Sequence, residues 1–298
     1  MMSYEFLMQL VVNGIVIGLI YGLIATGLAL LFGILHIVNF AHGEIVMLAM
    51  YTLAVAVPFL GGSYIASFAL IVAAATMIGW LVSGALLAAL SARRGDMAAF
   101  EKSLLLTLGL SIILLNGVQY IFTATPMMVT TDIPVGAFLL GPVRLSYAHA
   151  IAGAIAVVVF VALYVFLTRT NSGRALRAVA QNREAALMIG LDPERVARRA
   201  ITLSIVLCAV GGMVLVPLYV FQPIVGQALL LKAFAIVIIG GMGNVLGAAL
   251  VALALGIIES MVGGFANIVW QNAIAFIGMI AVLLIRPQGL FALAMRKG

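Results

Sequence analysis

Charge is what this sequence has least of. Only 8% of its 298 residues are Asp, Glu, Lys or Arg, while 65% are hydrophobic; ordinary soluble domains carry about 25% charged residues. A water-soluble fold of this length has too few polar groups here to cover its apolar surface, whereas a bilayer needs no such cover. Period-two alternation is also missing. That excludes a membrane β-barrel and leaves helices, which satisfy their backbone groups internally, as the spanning elements. The expected fold class is therefore all-α, a polytopic integral membrane protein. There is one cysteine, Cys208, in an apolar run, which excludes an intrachain disulfide and a cysteine metal site. His36 and His42 lack acids at ligand spacing, so no metal and no cofactor are expected. No GxxxxGK[ST] loop exists, since Lys102-Ser103 lacks the glycine before it, and neither H-E-x-x-H nor G-x-S-x-G is present. Nucleotide-binding and hydrolase machinery, and with them catalytic residues, are thus not expected. The opening residues lack the basic n-region and small-residue cleavage pattern of a signal peptide, so the first apolar run is read as a retained span.

The charge that is present is unevenly placed. Net charge is +6, yet thirteen of the 15 Lys and Arg fall in three stretches: Arg93 to Lys102, Arg169 to Arg199, and Arg286 to the C-terminus. Short basic loops beside apolar runs mark the cytosolic side of a membrane protein rather than a nucleic-acid surface. The apolar runs cover 6–35, 44–60, 64–92, 103–123, 148–168, 200–220, 228–258 and 266–285. Three runs lie between Arg199 and Arg286, an odd number joining two stretches that belong on one side. Residues 228–258 resolve this, because a single helix of that length reaches about 46 Å against a core of about 30 Å. Gly240-Gly241-Met242-Gly243-Asn244 inside it is a poor helix interior. The run is expected to break there, giving seven to nine crossings, an external N-terminus and a cytoplasmic C-terminus. The N-terminal half has a comparable interruption at His36 to Glu44. One interrupted segment in each half is a pattern of transporters built from repeats; a plain polar turn is the alternative at 36–44. Gly14, Gly18 and Gly22 have the small-xxx-small spacing of close helix packing.

Inside the spans, ionised groups are costly, about 2.5–3.5 kcal/mol each at a helix centre. Lys232 is expected to snorkel to the outer surface and Glu259 to sit at a membrane edge. Glu44, after the His42-Gly43 turn, is a candidate for hydrogen-bonding broken backbone or lining a pathway. Asn39 and Asn244, one in each interruption, are uncharged groups suited to a zwitterion or to unwound backbone. The longest polar stretch is 169–199. Asn171-Ser172-Gly173 reads as a turn and cap, and Ala175, Leu176, Val179, Ala186, Leu187 and Ile189 fall near one helical face. That face suits either an anionic lipid surface or a groove on a partner, and the acids Glu184, Asp192 and Glu194 weigh against lipid.

Glu184-Ala185-Ala186, three residues, then Gly190 reads EAAxxxG, with Ile201 following. This resembles the cytosolic coupling loop of ABC import permeases, although Thr202-Leu203-Ser204 stands where that family has Leu-Pro. Gly27-Leu28-Ala29-Leu30-Leu31-Phe32-Gly33, then Val38-Asn39-Phe40-Ala41-His42-Gly43-Glu44 and Met47, is similar to the signature of Liv-type branched-chain amino acid permeases. The likeness continues through Ile238 to Asn244 and Arg286-Pro287-Gln288-Gly289-Leu290. It implies one membrane-embedded permease domain over 1–298 in a cell inner membrane. It also implies a second permease subunit, two ATP-binding cassette subunits, and an extracytoplasmic binding protein that delivers the amino acid. Arg177, Glu184, Ala185, Ala186 and Gly190 would form the coupling site at 169–199. Asn39, His42, Glu44, Gly241 and Asn244 would border the pathway. Urea-type permeases share much of the NxAHGE segment, so urea or short amides are an alternative cargo. An ion-coupled carrier and a passive channel are the rivals from other classes.

Overall fold

The computed structural model describes residues 4–90 and 97–291. Its elements in chain order are α1 (Tyr4–Leu35), α2 (His42–Phe59), α3 (Tyr64–Leu90), α4 (Met97–Phe122), β1 (Ala137–Leu140), β2 (Val143–Ser146), α5 (Tyr147–Arg169), α6 (Asn171–Gln181), α7 (Arg183–Met188), α8 (Pro193–Leu215), α9 (Val225–Gly240), α10 (Val245–Phe265) and α11 (Ile268–Ile285). Seven of these helices are long and apolar enough to cross a membrane, and α9 and α11 are shorter apolar helices. The chain is a multi-pass helical membrane protein. Its two described strands form one antiparallel hairpin between α4 and α5.

Small residues set the closest helix contacts, as expected where lipid supplies no hydrophobic drive between helices. Gly14 lies on Ile257 and Gly18 on Ala252 and Leu253, so α1 and α10 run antiparallel with touching backbones. On the other side of the bundle Gly79 lies on Thr202 and Gly84 on Arg198, which pairs α3 with α8 in the same way. The pairing is matched between the halves: α1 packs on α10 as α8 packs on α3, and α2 touches α8 as α9 touches α1. That is the pattern expected of structural repeats, although the two halves are only weakly similar in sequence.

Each half contains a helix that starts late. After α1 the backbone leaves the helix at His36, whose φ of 56° is left-handed, and runs non-helically to His42. After α8 the chain is again non-helical over 216–224 before α9 begins. The run at 228–258 divides at 241–244 into α9 and α10.

The polar stretch folds differently from a single amphipathic helix. Thr170 caps α6, its hydroxyl accepting from the Gly173 N–H at 3.0 Å. Asn182 then breaks the helix and caps α7, and Asp192 caps α8. Such side chains compete with helix interiors and favour its start. Ala175, Leu176, Val179 and Ala186 are buried with Leu30, Leu31, Ile34, Leu87, Val196 and Ala197 in a second core. They anchor α6 and α7 to the ends of α1, α3 and α8, so most of the expected docking stripe is internal packing. Leu187 and Ile189 alone of that set are exposed.

Candidate translocation and coupling sites

The two late-starting helices meet at their beginnings. Gly43 and Gly226, in the first turns of α2 and α9, are in backbone contact, so a methyl on either would strike the other's carbonyl. The His42 ring reaches the middle of α1, its Nε2 lying 2.9 Å from the Ile24 carbonyl. A carbonyl only accepts, so Nε2 carries the hydrogen. Nδ1 is then free to accept from the Cys208 thiol, 3.2 Å away on α8. Ile24 lies roughly 16 Å short of the end of α1 at 1.5 Å per residue, which sets this junction deep inside the bundle. Asn39 supplies the turn into α2: its side chain accepts from the Ala41 N–H at 3.1 Å and its carbonyl from the His42 N–H at 3.3 Å.

Glu44 is fully buried at that junction. Ser111 Oγ on α4 donates to Glu44 Oε1 at 3.2 Å, while Oε2 has no hydrogen-bond partner and lies beside Gly226. Two helix N-termini converge on this carboxylate. Their free N–H groups and aligned dipoles favour negative charge there, which offsets part of its desolvation cost. Gly226 and Ser111 were not legible as partners of Glu44, because nothing local to either marks it as facing another helix.

Asn244 and Gly241 lie elsewhere, at the α9–α10 turn. Asn244 Oδ1 accepts from the Gly247 N–H at 2.9 Å, capping α10, and its Nδ2 donates to the Phe291 carbonyl at 2.6 Å. Gly241 has φ 94° and lies against Gly289, and Gly243 has φ 87° and lies against Gly33 at the end of α1. Those left-handed angles and close backbone approaches require glycine. The structure does not bring Asn39 and Asn244 together: one opens α2 and the other seats the α9–α10 turn.

Lys232 and Glu259 are corrected. Both side chains are enclosed by the bundle and paired with each other, where exposed positions were expected. Lys232 Nζ donates to Glu259 Oε2 at 2.8 Å and to the Tyr21 hydroxyl at 2.9 Å, with side chains 12% and 0% exposed for the lysine and the glutamate. The ammonium also lies 4.8 Å from the Tyr21 ring centre. Charges inside a membrane pair rather than stand alone, and this pair ties α9 to α10 and α1. The signal was present in sequence as two opposite charges isolated within one apolar hairpin.

The polar stretch 169–199, the expected coupling loop, presents its residues at one end of the bundle. Arg177 and Glu184 are exposed, Ala185 is half-buried, and Ala186 is buried against the second core. The three variable positions of EAAxxxG hold its exposed large apolar side chains: Leu187 is 54%, Met188 83% and Ile189 73% exposed. Gly190, at φ 81° and with open space around it, turns the chain toward α8. Large apolar side chains held in the open on a packed support read as a docking knob rather than a solvated face. Met188 was not legible in sequence, because the motif is marked by its small residues and not by the positions between them.

The chain resembles known proteins along most of its length. The family described as branched-chain amino acid transport system / permease component matches residues 10–283. The chain is 30% identical to the high-affinity branched-chain amino acid transport system permease protein BraD of Pseudomonas aeruginosa, over 96% of each chain. It is 28% identical to the permease protein LivH of Escherichia coli K12 over 97% of each. A probable branched-chain amino acid transport permease protein LivH from Methanocaldococcus jannaschii is 31% identical over 48% of each. With the match spanning nearly all of α1 to α11, this chain belongs to the branched-chain amino acid transport permease family.

Proposed function

We propose that this chain is a membrane-spanning subunit of an ABC importer that moves branched-chain or related hydrophobic amino acids into the cytoplasm. The observation that carries this reading is the exposed Leu187-Met188-Ile189 knob on α7, framed by Glu184-Ala185-Ala186 and Gly190. Its support is a rigid core shared with α1, α3 and α8. Force applied to the knob by a nucleotide-driven partner therefore reaches the bundle without being absorbed in a loose loop. The chain itself binds no ATP in this reading. Its partners are a second permease subunit, two ATP-binding cassette subunits and an extracytoplasmic binding protein, and the assembly sits in a cell inner membrane. Five spanning helices precede α6, so the N-terminus and the coupling end lie on opposite sides: N-terminus outside, coupling loop and C-terminus cytoplasmic.

The pathway in this reading runs along the junction of α2 and α9, with Asn39, His42 and Glu44 holding the first half-helix in place. Gly241 and Asn244 act on it indirectly, by seating the end of α9. Substrate selection rests largely with the binding protein, so the junction needs few contacts of its own. Uptake by the purified complex is expected for leucine and not for urea or polar amino acids; uptake of urea in preference to leucine overturns the cargo assignment.

Met188→Asp places a charge on the knob without touching the second core. It is expected to abolish co-purification with an ATPase subunit while the chain still accumulates in membranes, and Glu184→Arg and Gly190→Trp are expected to do the same. An ion-coupled carrier keeps transport after all three changes. That rival has one observation in its favour, the unpartnered Oε2 of buried Glu44. Glu44→Gln separates the two readings. The amide preserves the Ser111 contact, so ATP-driven uptake is expected to persist, whereas a carrier that titrates this carboxylate loses coupling altogether.

A further inference from the structure

The cluster not absorbed by transport or coupling lies on the outside of the α3–α8 pair, at the end of the bundle where α6 and α7 sit. Three arginines follow one another there on α8, and two are engaged. Arg195 pairs with Asp192 at 2.9 Å, and Arg199 Nη1 donates to Ser172 Oγ at 3.0 Å. Arg198 is different. Its guanidinium stacks over the Trp80 ring of α3 at 5.1 Å from the centroid, and its Nε is buried with no hydrogen-bond acceptor. Among the described residues it has no carboxylate partner. Gly84, one turn beyond Trp80, leaves the space that the guanidinium fills: a methyl built there would lie 3.1 Å from Nη2. Trp80 itself is 48% exposed, and its neighbours Met77 and Leu81 are 62% and 67% exposed.

The geometry points to a phosphate-binding site on this face, occupied by the headgroup of an anionic phospholipid. The face presents a guanidinium with no carboxylate partner among the described residues, whose two Nη groups form a fork that matches two phosphate oxygens, a chemistry that arginine performs better than lysine. Trp80 places it at the level where indoles gather, at the boundary of acyl chains and headgroups. The exposed Met77 and Leu81 supply the apolar wall along which an acyl chain lies. A lipid satisfies all three features at once: phosphate on Arg198, glycerol near Trp80, and hydrocarbon on α3. Free phosphate satisfies only the first. Because Arg198 lies on α8 and Gly84 on α3, a bound headgroup bridges the two helices just behind the coupling end.

Trp80 is also the reporter. The chain has two tryptophans, Trp80 and Trp270, so Trp270→Phe leaves Trp80 as its single indole. The full-length variant is reconstituted into phosphatidylcholine vesicles containing a fixed minor fraction of brominated lipid, either phosphatidylglycerol or phosphatidylcholine. Selective occupancy is expected to make quenching by the brominated anionic lipid match about a fivefold higher local fraction than the zwitterionic one, the enrichment of one basic residue at the surface. Arg198→Gln in the same background is expected to remove that excess. Arg198→Lys, which keeps the charge and loses the fork, retains part of it and guards against a misfolded glutamine variant. Equal quenching by the two lipids overturns the site, and so does an excess that survives Arg198→Gln. Loss of the excess on adding inorganic phosphate, with salt matched, assigns the face to the free ion and overturns the lipid. Absence of quenching by either lipid shows the face covered by protein, and overturns it equally.

Discussion

Lys232→Met is expected to destabilise the folded chain by about 3–5 kcal/mol, and adding Glu259→Leu to recover most of that loss. The asymmetry follows from the surroundings. Glu259 is fully buried between α10, α9 and α1, and its Oε2 takes the Lys232 ammonium at 2.8 Å. Removing the lysine leaves a carboxylate in an apolar interior with neither water nor a counter-charge, and that uncompensated desolvation is the whole cost. Removing both charges leaves space that a methionine and a leucine fill. Tyr21→Phe tests the third member. It deletes the hydroxyl that accepts from Lys232 at 2.9 Å but keeps the ring beneath the ammonium, so a smaller loss of about 1.5–3 kcal/mol is expected. Unfolding titrations with SDS in mixed micelles measure these proteins together with Glu259→Leu alone, which completes the cycle for the pair and gives the coupling directly. Equal losses from Lys232→Met and from the double variant contradict this: the pair then contributes through shape and not charge.

The lysine–glutamate pair also marks the limit of what the chain discloses about itself. Length and apolarity of the runs prescribe seven to nine crossings, and seven described helices are long and apolar enough to span with two shorter apolar ones beside them, because one helix must cross about 30 Å whatever its neighbours do. The break at 241–244 was legible for the same reason, a run too long with glycines in its middle. The 36–44 interruption was legible from four polar groups between two apolar runs. Residues 216–224 were not. They carry Val216, Leu218, Tyr219, Val220 and Phe221, so an apolar scan merges them with α8, yet the backbone there is mostly turn and extended. Phe221 is held by a bridge to Met127 and by its edge-on contact with Tyr51, both remote in sequence. Tertiary partners decide such a segment, and no local period records them. Lys232 and Glu259 failed differently. A single charge in an apolar run is cheapest at an exposed edge, but two opposite charges in one hairpin can instead pair across α9 and α10. In the EAAxxxG segment and the helix before it, the expected exposed stripe is mostly buried: Ala175, Leu176, Val179 and Ala186 are internal. A helical wheel drawn through Asn182 assumes a helix that Asn182 ends.

Gly226→Val is expected to abolish uptake, and Gly226→Ala to weaken it sharply, although neither touches a charge or the coupling loop. A Cβ on Gly226 would lie 2.7 Å from the Gly43 carbonyl oxygen and 2.8 Å from Glu44 Oε2. A carboxylate on a flexible side chain yields to such a contact. A carbonyl in the first turn of α2 does not, because α2 is held there by His42 on Ile24 and by Asn39 on Ala41. Relief therefore has to come from separation of α2 and α9, which moves the start of α9 away from the buried Glu44 carboxylate. Overpacking of a fitted core costs about 1–3 kcal/mol even where side chains adjust, and here the obstacle is backbone. Glu44→Ala separates the two contacts. If the carboxylate were the obstacle, Glu44→Ala would rescue Gly226→Ala; with the Gly43 carbonyl as the obstacle, the double variant stays impaired. Gly109→Ala on α4 is the matched control, since a methyl there meets open space and removes a helix-interior glycine; its uptake is expected to equal that of the parent. The measurement is ATP-driven uptake in vesicles together with the amount of assembled complex. Parental uptake by Gly226→Ala would mean that the two half-helices part during every working state of the cycle, and the junction would then be a resting contact and not the pivot on which the pathway opens.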